Sequence, residues 1–408
     1  HFKYLNSLTK TKKGKGKLMV TTQEENLEVL QAKLQDFIQN ELLPYEQEHG
    51  LNAEEDIPME AIKWARKRSR ELGFYGINLP EKYGGQDVSL KGLCMFKEDL
   101  ARSGAVLWGQ VIGEIGGPLR IGQMLESFTP EQIEKYVMPV VKGEASCCFA
   151  LTEPNAGSDA FAIETTAVKD GNDYILNGKK HFISAAPYAD FAIVIAKEYQ
   201  EGAKERITAF LVDKKTPQHS GFELGDIQVP LSGERIHAEL NFNQCRVPAA
   251  NIIGEPGKGL LLGLKRINTN RASHAAGFIG MAQHLLNLSI EHAKTRVQHG
   301  RPIGDFQAIQ HMLAEMATEI YAAKCMVYDV VEKIDQGKED RAGTSMAKLF
   351  ASEVNSRVAD KAIQIFGSKG LVKGHPVEKM YRSARMYRIL SGTSEIQKNT
   401  IAKALLKG

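Results

Sequence analysis

Cysteine is scarce and unpatterned. Only Cys94, Cys147, Cys148, Cys245 and Cys325 occur among 408 residues, with no Cys-x-x-Cys spacing. An odd count without paired spacing argues against a disulfide framework and reads as reduced thiols in an intracellular compartment, the cytoplasm or, in a eukaryote, the mitochondrial matrix. The adjacent Cys147 and Cys148 read as small buried hydrophobes. No long uncharged apolar run is present, so the sequence offers no transmembrane span. Charge of one sign is also lacking: the formal net charge is +3 with no basic stripe through the body, which gives nucleic-acid binding no support. The histidines are scattered, without a His-x-x-x-His pair and carboxylate for zinc, and there is no Gly-x-Ser-x-Gly elbow. The glycine-rich stretch 254–259 lacks the spacing of a phosphate loop, and it and the segment from Glu134 to Gly143 read as connectors. What remains, 43% hydrophobic and 25% charged residues, is the composition of a globular protein with ample core for two or three domains.

Three zones follow one another. Residues 1–21 carry Lys3, Lys10, Lys12, Lys13, Lys15 and Lys17 before Met19 and read as a disordered basic leader or tag remnant. Residues 22–143 form a helical zone. Thr22-Gln23-Glu24-Glu25 fits a capping box, Leu27, Leu30, Leu34, Phe37 and Ile38 recur at helical spacing, and Pro44 closes the run. A second amphipathic helix covers about Met59 to Leu72, and more apolar helical sequence runs from Leu90 to about Val141. From 144 to 256 the period changes. Short β-branched runs occur at 163–168, 174–176, 191–195, 207–212 and 236–242. Asn177-Gly178 predicts a tight hairpin, with His181-Phe182-Ile183-Ser184 as its returning strand. From 257 to 408 the helical period returns, with Ile309, Met312, Leu313, Met316 and Ile320 as one stripe of a bundle. The fold class is multidomain α+β: an N-terminal α-helical domain, a middle antiparallel β-domain and a C-terminal four-helix-bundle domain.

Four landmarks carry a resemblance. They are Phe149-Ala150-Leu151-Thr152-Glu153-Pro154-Asn155-Ala156-Gly157-Ser158-Asp159, Arg385-Met386-Tyr387-Arg388-Ile389-Leu390-Ser391-Gly392-Thr393-Ser394-Glu395-Ile396-Gln397, the loop ending Tyr83-Gly84-Gly85, and the segment from Arg301 to Gln310. Together, and in their order along the chain, they are similar to the acyl-CoA dehydrogenase family. The resemblance implies FAD in a cleft between the β-domain and the helices, a homotetramer, an acyl-CoA substrate and electron-transferring flavoprotein as electron acceptor. It implies that Leu151 and Thr152 face the isoalloxazine edge, with Phe182 and Ser184 where the family often has Trp and Thr. It assigns Arg296, Gln298, Gln364, Gly367 and Ser368 to the FAD of a neighbouring subunit, and Thr393 and Glu395 to the adenosine half. Gly157, Ser158, Asn268, Asn270, Arg271, Ser391 and Gly392 would meet the CoA ester. His299 replaces the family's usual Phe.

The same resemblance exposes a vacancy. The family removes the substrate α-proton with a carboxylate, placed in most members just before the Gly-Thr-Ser of the last motif. In a second branch, the isovaleryl-CoA type, it lies just before an arginine of the first C-terminal helix. Here those residues are Ser391 and Asn270, neither of which is a competent base near neutral pH. Glu114 stands at a pocket position that is usually apolar, and His274 follows Asn270 by one helical turn. Both are candidates for a relocated acid/base. Glycines at 104, 109, 113, 116 and 117 suggest a reshaped pocket for a cyclic or otherwise unusual acyl chain. Two other readings stay open. One is a desulfinase-like lyase acting on a β-substituted acyl-CoA, for which Arg102, Arg120 or Arg271 would supply a cation. The other is a catalytically silent protein that binds acyl-CoA or flavin.

Overall fold

The computed structural model describes residues 23–202, 204–214, 221–338 and 340–407. The basic leader, Met19 and Thr22 of the capping box lie outside the described residues. Helix α1 (Gln23–Phe37) buries Leu30, Leu34 and Phe37. Pro44 does not end the run: a π-helical turn over Ile38–Leu42 leads into α2 (Leu43–Glu48), with the proline in its first turn. There the missing N–H costs nothing and the wide π turn absorbs the ring. Helix α3 (Met59–Leu72) stops at Gly73, whose φ of 86° is the left-handed cap that glycine adopts without strain. Helix α4 (Leu90–Ser103) begins at Ser89, whose side chain accepts from Gly92 N–H. The stretch after α4 is not continuous helix. It breaks into α5 (Trp108–Val111), 3-10 turns, α6 (Pro130–Gln132), a π turn and α7 (Met138–Val141). Positive φ at Gly104, Gly113 and Gly116 explains the break.

The middle part is one seven-stranded sheet: β1 (Cys147–Ala150), β2 (Thr166–Asp170), β3 (Asp173–Ser184), β4 (Phe191–Tyr199), β5 (Arg206–Asp213), β6 (Phe222–Ile227) and β7 (His237–Pro248). The order is β1-β4-β2-β3-β7-β6, with β5 on the other side of β4. Most pairs are antiparallel, but β4 takes both β1 and β2 as parallel neighbours. The hairpin expected at Asn177-Gly178 is not there. Strand β3 runs straight through those residues, and the tight turn lies between Asp170 and Asp173. Asn177-Gly178 instead marks a register shift against β7. A Cβ at Gly178 would come within 2.6 Å of Thr165 Oγ1, so the glycine serves a close approach and a bulge rather than a turn. Cys147 and Cys148 lie in β1, both fully buried, and burial pushes the Cys147 thiol up to about 12.

Helix α8 (Gly259–Thr295) spans 37 residues and leads through the small ribbon β8 (Val297–Gln298) and β9 (Arg301–Pro302). It packs with α9 (Gln307–Asp335) and α10 (Arg341–Phe366), while α11 (Pro376–Tyr387) and α12 (Ser394–Lys407) lie against α10. The architecture is therefore helical, then β, then helical. Helix α4 crosses α8 so closely that a Cβ at Gly280 would fall 2.2 Å from the Glu98 carbonyl oxygen. This crossing brings Lys97 of α4 against Ser273 of α8, and the site is built there. Among the described residues no helix is long and apolar enough to cross a membrane.

Candidate active site

A cavity of about 390 Å³ lies between α4, α8 and the loop 113–123, with Lys97, Glu114, Arg120, Arg266, Asn270 and His274 on its walls. Each wall has a local cause. Lys97 occupies an apolar-phase position of α4, in the series Leu90, Leu93, Lys97, Leu100, and its side chain is 1% exposed. Glu114 rides on a glycine loop that Arg66 staples from beneath. That arginine is itself buried and donates to Gln110 Oε1 (3.0 Å), Ser146 Oγ (2.7 Å) and the Ile115 carbonyl (3.0 Å). Cys147 N–H binds the Gly116 carbonyl and ties the loop to β1. Asn270 and His274, one turn apart on α8, both face the cavity.

The polar groups form one chain of contacts. Lys97 Nζ lies 2.9 Å from both carboxylate oxygens of Glu114 and 3.3 Å from Ser273 Oγ. Glu114 Oε1 lies 2.8 Å from His274 Nε2, and His274 Nδ1 lies 2.8 Å from Ser391 Oγ. Burial would raise the pKa of Glu114, but the Lys97 ammonium and the imidazole outweigh it and hold the carboxyl well below its ordinary range. Burial and Lys97 push His274 down to about 4 against the pull of Glu114. The pair near neutral pH is therefore carboxylate and neutral imidazole. A carboxylate only accepts, so Nε2 carries the imidazole proton and Nδ1 is left to accept from the Ser391 hydroxyl. Ser391 is held for this contact at a φ of 57°. Its carbonyl accepts from Arg271 Nε (3.0 Å), and Lys348 Nζ binds the carbonyls of Tyr387 and Gly392, each at 2.9 Å.

The other site residues named from the sequence fall into separate groups. Leu151, Thr152, Phe182 and Ser184 lie on the β-domain, with Gly157 and Ser158 exposed on the loop after β1. A buried ion pair anchors that loop. Lys180 Nζ meets Glu153 Oε1 at 2.6 Å and the Leu151 and Ile195 carbonyls at 3.1 and 2.7 Å. Asn268 Oδ1 accepts from Arg271 Nη1 at 2.8 Å, so Asn268, Arg271, Ser391 and Gly392 share one neighbourhood. Thr393 caps α12 and Glu395 lies exposed in its first turn. Arg296, Gln298, Gln364, Gly367 and Ser368 are all exposed at the far end of the bundle, near where His292 stacks on Phe366. At about 1.5 Å rise per residue, Arg296 lies about 37 Å along α8 from Arg271, so the chain does not bring that group to the cavity. Arg102 pairs with Asp99 (2.6 Å) and does not line the cavity, whereas Arg120 does. His299 is exposed beside Phe306.

The residues on the β-domain fit a flavin. The hydroxyls of Thr152 and Ser184 make no hydrogen bond among the described residues, and Phe182, at a φ of 52°, leaves 49% of its surface open. A Cβ built at Gly157 would have no neighbour within 4 Å. Free donors beside an uncovered ring and open backbone suit an aromatic, polar-edged group. Sequence reasoning missed Lys97, Arg266 and the Lys180–Glu153 pair. A lysine in the apolar phase of α4 was the available signal.

Models of the acyl-CoA dehydrogenase N-terminal, middle and C-terminal domains match residues 24–144, 148–245 and 257–406. The chain is 37% identical over 387 residues to the 3-(aryl)acrylate reductase of Clostridium sporogenes, covering 94% of this chain and 99% of that protein. It is 39% identical over 339 residues to the caffeyl-CoA reductase-Etf complex subunit CarC of Acetobacterium woodii, covering 83% and 88%. The solved butyryl-CoA dehydrogenase of Megasphaera elsdenii superposes with a TM-score of 0.83 at 32% identity, covering 96% of this chain and 100% of that one.

Proposed function

The chain belongs to the acyl-CoA dehydrogenase family, and from that premise we propose that it moves hydrogen across the CH–CH bond of an acyl-CoA thioester with Glu114 and His274 as its acid/base pair. FAD is the cofactor, and when bound it supplies the two-electron acceptor or donor for the hydride. The residues that fit it in this chain are Leu151, Thr152, Phe182 and Ser184, with Thr393 and Glu395 toward the adenosine half. Arg296, Gln298, Gln364, Gly367 and Ser368, exposed at the far end of the bundle, would serve the flavin of another copy. Gly157, Ser158, Asn268 and Arg271 would bind the CoA ester.

The observation that carries the reading is the unbroken contact Ser391–His274–Glu114, at 2.8 Å per link, which runs from Ser391 to the His274 and Glu114 side chains on the cavity wall, while Asn270 lines the same cavity. On oxidation the α-proton passes to Ser391 Oγ as the serine's own proton moves to His274 Nδ1. The resulting imidazolium is stabilised by the Glu114 carboxylate, which is itself anchored by Lys97. Reduction runs the same transfers backward, because a proton donor must stand where oxidation needs a base. The relatives include reductases, so both directions belong to the proposal. One of those relatives is named as part of an Etf complex, which supports an electron-transferring flavoprotein as redox partner. Tyr321, Leu405 and Leu406 are 69%, 71% and 87% exposed on α9 and α12. These apolar groups support assembly of several copies, a homotetramer.

The test is an anaerobic titration of the FAD-loaded protein with linear, branched and cyclic acyl-CoAs and their enoyl counterparts, followed by the flavin spectrum. The reading expects flavin bleaching by one acyl class. It fails if every ester binds and none exchanges electrons.

A further inference from the structure

We propose that the acyl group carried by the CoA ester bears an anionic substituent of the carboxylate class, seated on Arg120 and Arg266. The inference rests on the acyl-CoA reading above and names the substrate class for the same cavity. Arg266 is 4% exposed, stacks its guanidinium 4.7 Å from the Phe149 ring centroid and donates from Nε to the Arg120 carbonyl at 2.6 Å. Both arginines line the cavity, and among the described residues neither has a carboxylate within ion-pair distance. Burial, then the neighbouring Arg120, pushes Arg266 down to about 9. Two cations crowded in a partly dry wall, neither with a carboxylate paired to it, are costly and call for an anion from outside.

The carboxylates on the cavity are already committed. Glu114 is held by Lys97 and His274. Asp335 accepts from the Leu90 and Lys91 N–H groups at 2.8 and 2.9 Å and so caps α4. Buried polar atoms on the same wall lack partners: Arg120 Nε, Gln123 Oε1 and Asn78 Oδ1. A hydrocarbon tail would leave all of them unsatisfied, each at a cost. A carboxylate offers lone pairs to both guanidiniums, and a turn of either amide presents an N–H₂ to it.

The experiment compares, on the holoenzyme, acyl-CoAs of equal length ending in a carboxylate, its methyl ester or a methyl group. Binding is read from the flavin spectrum and turnover is followed alongside. Charge-assisted hydrogen bonds of the usual strength predict a preference of about 10- to 100-fold for the carboxylate end. Arg120→Met should collapse that ratio toward one, and Arg120→Lys should keep part of it. Equal binding of all three ends by the wild-type protein overturns the inference, and that series alone decides if a variant fails to fold. Arg120→Met that weakens all three esters equally also overturns it, placing the arginine on CoA or the cofactor. A carboxylate preference without electron exchange would leave this inference standing and remove the acid/base reading.

Discussion

Replacing Glu114 by Gln keeps the shape of the carboxylate and removes its charge. That charge neutralises Lys97, whose side chain is 1% exposed, and on the proposed relay it would also stabilise the imidazolium formed on His274. General acid/base groups contribute about 10²–10⁴-fold, or roughly 3–5 kcal/mol of barrier. Glu114→Gln should therefore lower the single-turnover rate of flavin bleaching by at least a hundredfold at saturating ester, while ester binding read from the flavin spectrum persists. Stability should fall too, since breaking a buried pair costs about 3–5 kcal/mol. A urea titration measures that separately. The decisive arm is the double variant with His274→Gln. Groups that act as one relay are non-additive, so the double should be no slower than the slower single. Unchanged turnover in Glu114→Gln discards the assignment. Losses that multiply in the double variant refute the relay.

Other consequences are open to measurement. His274 falls from 6.5 to about 4 in the folded chain. Between those values the unfolded state binds the proton and the native state does not, so stability rises with pH across that window, by about 3 kcal/mol at roughly 1.4 per unit. Denaturant midpoints from pH 4 to 7 should show this slope, and it should be shallower in His274→Gln. Glu114, lowered in the fold, contributes stability that is full above about 4.5 and is lost as pH falls further. Gly280→Ala should push α4 from α8, because its Cβ would lie 2.2 Å from the Glu98 carbonyl oxygen. A loss of about 1–3 kcal/mol with slower turnover is expected, and an unaltered Tm would count against the crossing. Lys180→Met leaves Glu153 buried without its partner and frees the loop after β1. FAD retention on a desalting column should drop, and full retention would separate that loop from the cofactor.

Periodicity and turn chemistry made much of the fold legible. Helix α3 begins and ends where its apolar spacing and Gly73 place it, and the strand-rich middle stands out by its change of period. Local signals failed where a distant neighbour overruled them. Asn177-Gly178 has hairpin chemistry, yet Thr165 presses on Gly178 and the strand continues. Pro44 has the chemistry of a stop, yet a π turn lets helix resume behind it.

The site divides in the same way. The chain alone carries the family motifs, and by the resemblance it sets Ser391 and Asn270 where the family's carboxylate is expected. It also offers Glu114 and His274 as replacements, because side-chain chemistry and one-turn spacing are local properties. Only the tertiary structure decides that Ser391, 117 positions from His274, hydrogen-bonds to it, that Lys97 of α4 fixes the charge of Glu114, and that Arg120 and Arg266 face one cavity without a carboxylate paired to either. Protonation states and unpaired charges depend on distances of a few ångströms between groups far apart in the chain. Those distances exist only once α4 has crossed α8 at Gly280 and the glycine loop has been tied to β1.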